Sequence, residues 1–281
     1  MNTIDTTDPA DKDEEGATKR REPRHHQRIR LIVRKVMIRS LSLILLLLTV
    51  QIVGAQSGPG ILALRNMLDD KNAEIRIKAA EGLARVGGRQ AVVMLRHGLS
   101  DKDLDVRIAV VKALGFVGGK VALTVLSEAL KDKAPEVRLR TVDALKDAGT
   151  VNSIPIIQKA FEDKEQAVRM EAALALRKIG HRNGVPVLTN AALNDNSPQV
   201  RAAAARHLGK LGVKDPRAVG GLSQILADKS PAVRIRAVES LGFLQLPAVV
   251  PVLMQALEDK DPGVRIRATE ALGRVLAKEF E

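Results

Sequence analysis

Cysteine, tryptophan and tyrosine are all absent from the 281-residue sequence, and phenylalanine occurs only four times. The missing cysteine excludes disulfides, thiolate catalysis, cysteine-ligated zinc and lipid attachment through cysteine, whatever the compartment. The scarcity of aromatics means that any core is aliphatic. Apolar residues still make up 45% of the chain, enough to bury one, and Ala, Leu, Val, Ile, Lys, Arg and Glu dominate, which favours closely packed helices. There is no P-loop and no Gly-x-Ser-x-Gly motif. Outside the N-terminal segment, no two of the histidines His25, His26, His97, His181 and His207 stand at metal-ligand spacing on one helix. No catalytic residue, metal site or cofactor is therefore expected.

No uncharged apolar run reaches the roughly 20 residues that a spanning helix needs. The longest, Ser40 to Ala55, is built around Leu43-Ile44-Leu45-Leu46-Leu47-Leu48 and ends Val53-Gly54-Ala55. Ahead of it lies a basic stretch from Lys19 to Arg39, itself preceded by polar and acidic residues. Basic flank, short apolar run and small-x-small end are the three parts of a secretory signal. Residues 1–55 are expected to be a basic leader plus a signal peptide or N-terminal membrane anchor, with cleavage after Ala55 preferred. The remainder would be exported: periplasmic, secreted, or anchored to the inner membrane with its folded part outside the cytoplasm. The membrane would be touched only through this segment. Met-Ile-Arg-Ser-Leu-Ser from Met37 alone makes a compact signal, so Met37 competes with Met1 as the start.

Beyond residue 59 the chain is one internal repeat. Aspartate followed six positions later by arginine recurs as Asp70/Arg76, Asp101/Arg107, Asp132/Arg138, Asp163/Arg169, Asp195/Arg201, Asp228/Arg234 and Asp259/Arg265. Successive arginines lie 31, 31, 31, 32, 33 and 31 residues apart, a period that signals a stack of small units. In each unit an apolar residue stands two places before the Asp, closing a first helix. After the turn a proline often follows (Pro135, Pro198, Pro231 or Pro262), and the residue before that position is a short polar one in five of the seven units (Asn72, Asp103, Ser197, Ser230 and Asp261). That is the N-cap and first-turn chemistry of a second helix. Apolar residues one before the Arg and three, seven and ten after it form one helical stripe, as in Val168, Ala172, Leu176 and Ile179. Gly87, Gly118, Gly149, Gly180 and Gly212, eleven after the Arg, read as helix stops.

The pattern Asp-x-x-Pro-x-Val-Arg followed by Ala-x-x-Ala-Leu-Gly resembles HEAT repeats of the phycobilisome-lyase type, throughout residues 59–281. The resemblance implies an all-α solenoid: seven antiparallel helical hairpins of about 31 residues in a right-handed superhelix, second helices lining the concave side. It also permits a bilin lyase-like activity, against which stand the export signal and the missing Tyr and Trp. Deoxyhypusine hydroxylases, HEAT enzymes with two irons, use His-Glu dipeptides. This chain has His97-Gly98, His181-Arg182 and His207-Leu208 instead. Two irregularities are expected: one extra residue in the fifth unit's first helix near Val187-Leu188, and a longer loop at Gly212–Pro216. The seventh unit has Leu276 in place of the stop and ends Lys278-Glu279-Phe280-Glu281, a charged finish that suits a cap.

Seven equivalent Asp/Arg pairs cannot be one active site. Their expected role is to hold each turn, the carboxylate accepting backbone N–H groups of the next helix or pairing with Arg. Function is expected instead on the second helices at two, five and nine past the Arg, where residues differ from unit to unit. There the chain places Lys78, Glu81, Arg85, Lys112, Phe116, Arg140, Asp143, Asp147, Glu171, Lys178, Arg206, Lys210, Arg236, Glu239, Phe243, Arg267, Glu270 and Arg274. Its cations other than Lys78 and the two phenylalanines, Phe116 and Phe243, are the candidate partner-binding residues, for protein partners. The net charge is +12; without residues 1–55, 35 basic against 26 acidic groups leave +9. Nucleic-acid binding is the competing reading. Interspersed acids, the lack of aromatic platforms and export all argue against it.

Overall fold

The computed structural model describes residues 58–212 and 215–277. Residues 1–57, on which the expected leader and signal or anchor fall, residues 213–214 of the expected longer loop, and the Lys278–Glu281 finish lie outside the described residues. Fourteen α-helices and no strand occur among the described residues. They alternate as first and second members of seven hairpins. First helices are α1 (Pro59–Met67), α3 (Gly88–His97), α5 (Gly119–Ala129), α7 (Ile154–Lys159), α9 (Gly184–Asn194), α11 (Arg217–Ile225) and α13 (Val250–Ala256). Second helices are α2 (Ala73–Val86), α4 (Leu104–Val117), α6 (Pro135–Asp147), α8 (Gln166–Ile179), α10 (Pro198–Leu211), α12 (Pro231–Leu244) and α14 (Pro262–Ala277). Hairpin mates pack on each other and second helices on their equivalents in adjoining units, the all-α superhelix implied by the repeat.

The expected stripe is the core. Val168, Ala172 and Leu176 are buried, and the corresponding Val137, Thr141 and Leu145 likewise. Thr141 is tolerated there because its hydroxyl donates to the Val137 carbonyl at 2.8 Å. One aliphatic cluster runs from Ile61 to Val275. No unit could shield its apolar face alone, which is why the array is continuous.

Local signals decide the turns. Asn72, Asp103, Ser197 and Asp261 accept from backbone N–H groups at the starts of their helices. Ser230 stands at the same place, but its side chain makes no cap bond, and Pro231 alone pre-sets that start. Gly87, Gly118, Gly149 and Gly180 end their helices with φ between 61° and 71°, the left-handed half of the map. Gly212 does not; its φ is −75°. Glycine is needed there for closeness instead, because a Cβ would lie 2.1 Å from the Ala218 Cβ.

The fifth unit carries its extra residue, but at the end of its first helix, not near Val187-Leu188. In the other six units the ladder Asp closes a tight turn, as Asp132 N–H donates to the Ala129 carbonyl, three back. Asp195 donates to Ala191, four back. The buried leucine consequently shifts from six residues before the Asp (Leu126, Leu222) to seven (Leu188). A last turn wound at 3.6 residues instead of 3.0 absorbs one residue without disturbing the core. At the following loop, Asp215 is buried and takes three contacts of 2.6–3.2 Å from the Arg217 guanidinium. That hydrogen bonding holds its carboxylate down to about 2.

Second helices approach closely where the residue eight past the ladder Arg is glycine. A Cβ at Gly209 would stand 2.4 Å from the Ser240 Cβ, and the Ser240 hydroxyl is already committed to the Ala205 carbonyl at 3.0 Å. Neither side can yield. Gly209→Ala should therefore destabilise the fold by about 1–3 kcal/mol, read from urea unfolding followed by circular dichroism. An unchanged midpoint would mean that α10 and α12 are free to separate.

Candidate interaction face of the second helices

The Asp/Arg positions form a ladder whose rungs join neighbouring units. Six residues is too local a view of it. Each Arg donates through Nη1 to the backbone carbonyl of its own unit's Asp, at 2.8–2.9 Å, tying down the turn. Its Nε then reaches the carboxylate of the next unit's Asp at 2.6–2.8 Å: Arg76–Asp101, Arg107–Asp132, Arg138–Asp163, Arg169–Asp195, Arg201–Asp228 and Arg234–Asp259. Nη2 bonds the other carboxylate oxygen, so each rung is bidentate. That oxygen also accepts the N–H two residues on, as Glu165 N–H to Asp163 at 2.9 Å.

These rungs are buried. The six arginines Arg76, Arg107, Arg138, Arg169, Arg201 and Arg234 are at most 7% exposed. Burial disfavours the charge on Asp163, but the Arg138 bonds and the Glu165 N–H outweigh it and hold the carboxyl below its ordinary range. Asp101 and Asp228 behave alike. The end members differ: Asp70 receives only the Asn72 N–H and Arg265 only its own turn's carbonyls, among the described residues.

All eleven candidate partner-binding residues are exposed. The structure gathers some of them into two grooves. One, of about 510 Å³ between α2 and α4, brings Arg85, Lys112 and Phe116 together over Ile77, Ile108 and Ala109, with Glu81 and Asp105 at its margin. The other, about 550 Å³ between α12 and α14, brings together Phe243, Arg267 and Arg274, with Glu239 and Glu270. Arg140, Lys178, Arg206, Lys210 and Arg236 line neither groove. Phe116 is 76% exposed and Phe243 56%, so neither is packed against a neighbouring helix.

The family model for HEAT repeats matches residues 61–146, 125–209 and 185–273. The chain belongs to the HEAT-repeat family. No curated protein matches it. Among solved structures, this HEAT array is similar to human deoxyhypusine hydroxylase in complex with glycerol, at 19% identity and TM-score 0.43 over 82% of this chain and 99% of that one. It is similar to the CpcE–CpcF complex of phycocyanin lyase from Nostoc sp. PCC7120, at 19% identity and TM-score 0.42 over 75% and 93%. A computationally designed armadillo repeat protein for modular peptide recognition matches at 17% identity and TM-score 0.40, over 64% and 98%.

Part of the charge on the second-helix face is paired. Lys78 bonds Glu81, Arg140 bonds Asp143, Lys146 bridges Asp143 and Glu171, Arg236 bonds Glu239, and Arg267 contacts both Glu239 and Glu270. One functional candidate left no signal in the repeat pattern. His207, one place before the stripe residue Leu208, is 5% exposed. Burial, then Arg206, Arg177 and Lys210, push its imidazole down to about 4. Its helical phase borders the stripe, and only the neighbouring unit decides whether such a position is covered.

Proposed function

We propose that this chain is a non-catalytic protein-interaction scaffold of the cell envelope that takes partners on the face of its second helices. Phe116 and Phe243 carry the reading. They occupy the same register, nine past the ladder Arg, in units two and six, and each stands exposed beside a groove. Exposing a large aromatic to water has no folding benefit, whereas a partner that desolvates it gains binding energy. The charged residues around each groove supply orientation and rim contacts.

The test uses purified protein as bait in envelope extract, with captured proteins identified by mass spectrometry and their affinity measured individually. Phe116→Ala/Phe243→Ala should weaken a specific partner by tenfold or more, since two truncated anchors of about 1–2 kcal/mol each allow more than that. Circular dichroism should be unchanged because both side chains are exposed. Equal capture by wild type and variant would remove these residues from the interface. For the location, the basic leader and apolar run support export. Fractionation should recover the protein from periplasm or membrane, and recovery in the cytosol would overturn that half of the reading.

A further inference from the structure

Units four and five gather the largest group of unpaired cations on the second-helix face. Arg85, Lys112 and Arg274 also stand outside the ion pairs among the described residues, but the first two share their groove with Glu81 and Asp105 and the third with Glu239 and Glu270. Arg177 and Lys178 on α8, and Arg206 and Lys210 on α10, make no ion pair with a carboxylate among the described residues. Helix α10 contains no acid, and the single acid of α8, Glu171, is held by Lys146. At the stripe position where units one, three, six and seven carry an acid (Glu81, Asp143, Glu239 and Glu270), unit four has half-buried Leu174 and unit five Arg206, so no counter-charge from that position stands among the cations. Lys178 and Lys210 occupy the register that Phe116 and Phe243 hold in units two and six.

A second observation points to a ligand. The Nδ1 of His207 and the Nε of Arg177 are buried yet make no hydrogen bond among the described residues. Buried polar atoms without partners are costly, and both groups can donate to an anion, the imidazole in its neutral Nδ1–H form as well as when protonated. Three cations crowding one such imidazole, with no counter-charge, form a site whose electrostatics are completed from outside.

We propose that the second-helix face of units four and five is a carboxylate-binding site, seating an acidic segment of a protein partner on Arg177, Lys178, Arg206 and Lys210 above His207. The site deepens the scaffold reading and rests on it. Its occupant is a peptide and not a nucleic acid because the cations cover only two helices and no aromatic stands among them to stack a base. The partner's acidic stretch would lie between the two phenylalanine grooves.

The probe is a fluorescein-labelled decapeptide of alternating Glu and Ala, titrated against the full-length protein at low salt and read by anisotropy. Arg206→Ala/Lys210→Ala should weaken it at least tenfold, while Lys131→Ala/Lys133→Ala, which removes the same charge from an inter-helix turn, should change it less than twofold. In histidine-labelled protein, the peptide should move the His207 imidazole titration upward, as a counter-charge at this place must. Equal losses in both double variants, or an unmoved His207, would reduce the effect to diffuse attraction and overturn the proposal. A single-stranded oligonucleotide that binds more tightly than the peptide and is lost with Arg206 and Lys210 would overturn the choice of ligand. Neither result touches the Phe116/Phe243 experiment, so the two readings fail separately.

Discussion

Asp163→Ala should destabilise the solenoid by about 3–5 kcal/mol, because it strands the Arg138 guanidinium in a buried place with nothing opposite two of its donors. The Glu165 N–H loses its acceptor at the same time. This rung lies between units three and four, so the damage falls on a single interface near the middle of the array. In a stack held by nearest-neighbour contacts, a weakened central interface uncouples the two halves. Urea unfolding followed by circular dichroism should then show two transitions where the wild type shows one. Arg265→Ala is the control. Its side chain is exposed and meets no carboxylate among the described residues, so it should change stability by less than about 0.5 kcal/mol. Equal effects at the two sites would mean that the rungs do not hold the units together.

Acidification should weaken the wild type well before the carboxylates titrate, and His207→Leu should abolish that early loss. In the unfolded chain this imidazole takes a proton near its ordinary value of 6.5, whereas the folded protein refuses it until about pH 4. Between those values the unfolded state binds the extra proton, so folding stability falls as the pH falls. The interval corresponds to about 2–3 kcal/mol once some relaxation around the group is allowed. Below it the ladder follows with the opposite kind of group. Asp101, Asp163, Asp228 and Asp259 titrate below 3.8 in the folded state, so their contribution is intact above that value and disappears as they protonate. Measured at about pH 7.5, 5.5 and 4.2, values that bracket the two titrations, unfolding midpoints should fall steadily for wild type and hold nearly level for His207→Leu. Parallel curves would show that the imidazole is hydrated in the folded protein.

Much of this molecule can be read from its residues. The hairpins, their boundaries and the buried stripe follow from a six-residue Asp-to-Arg spacing repeated seven times, because helix period and capping are local properties. The partners of the ladder are not local. Arg138 stands six residues from Asp132 and 25 from Asp163, yet its Nε takes the distant carboxylate, because the stacking angle between hairpins aims the side chain forward. One-dimensional spacing carries no information about that angle. The exposure of Phe116 and Phe243 follows from helical phase alone, while the environment of His207 includes Arg177, a residue of another unit. The extra residue of unit five was visible as a count, but only the hydrogen bond from Asp195 to Ala191 locates it.

The forward-reaching guanidinium gives neighbouring hairpins a common coupling, the same plug at one end and the same socket at the other. Excising residues 102–132, the 31 residues from one ladder Asp to the next, would leave Arg76 facing Asp101 and put Arg138 in the place of Arg107. Recombination between repeats can therefore shorten or lengthen the molecule in whole modules with the ladder kept in register, and the distance between its two aromatic anchors is set by how many modules separate them.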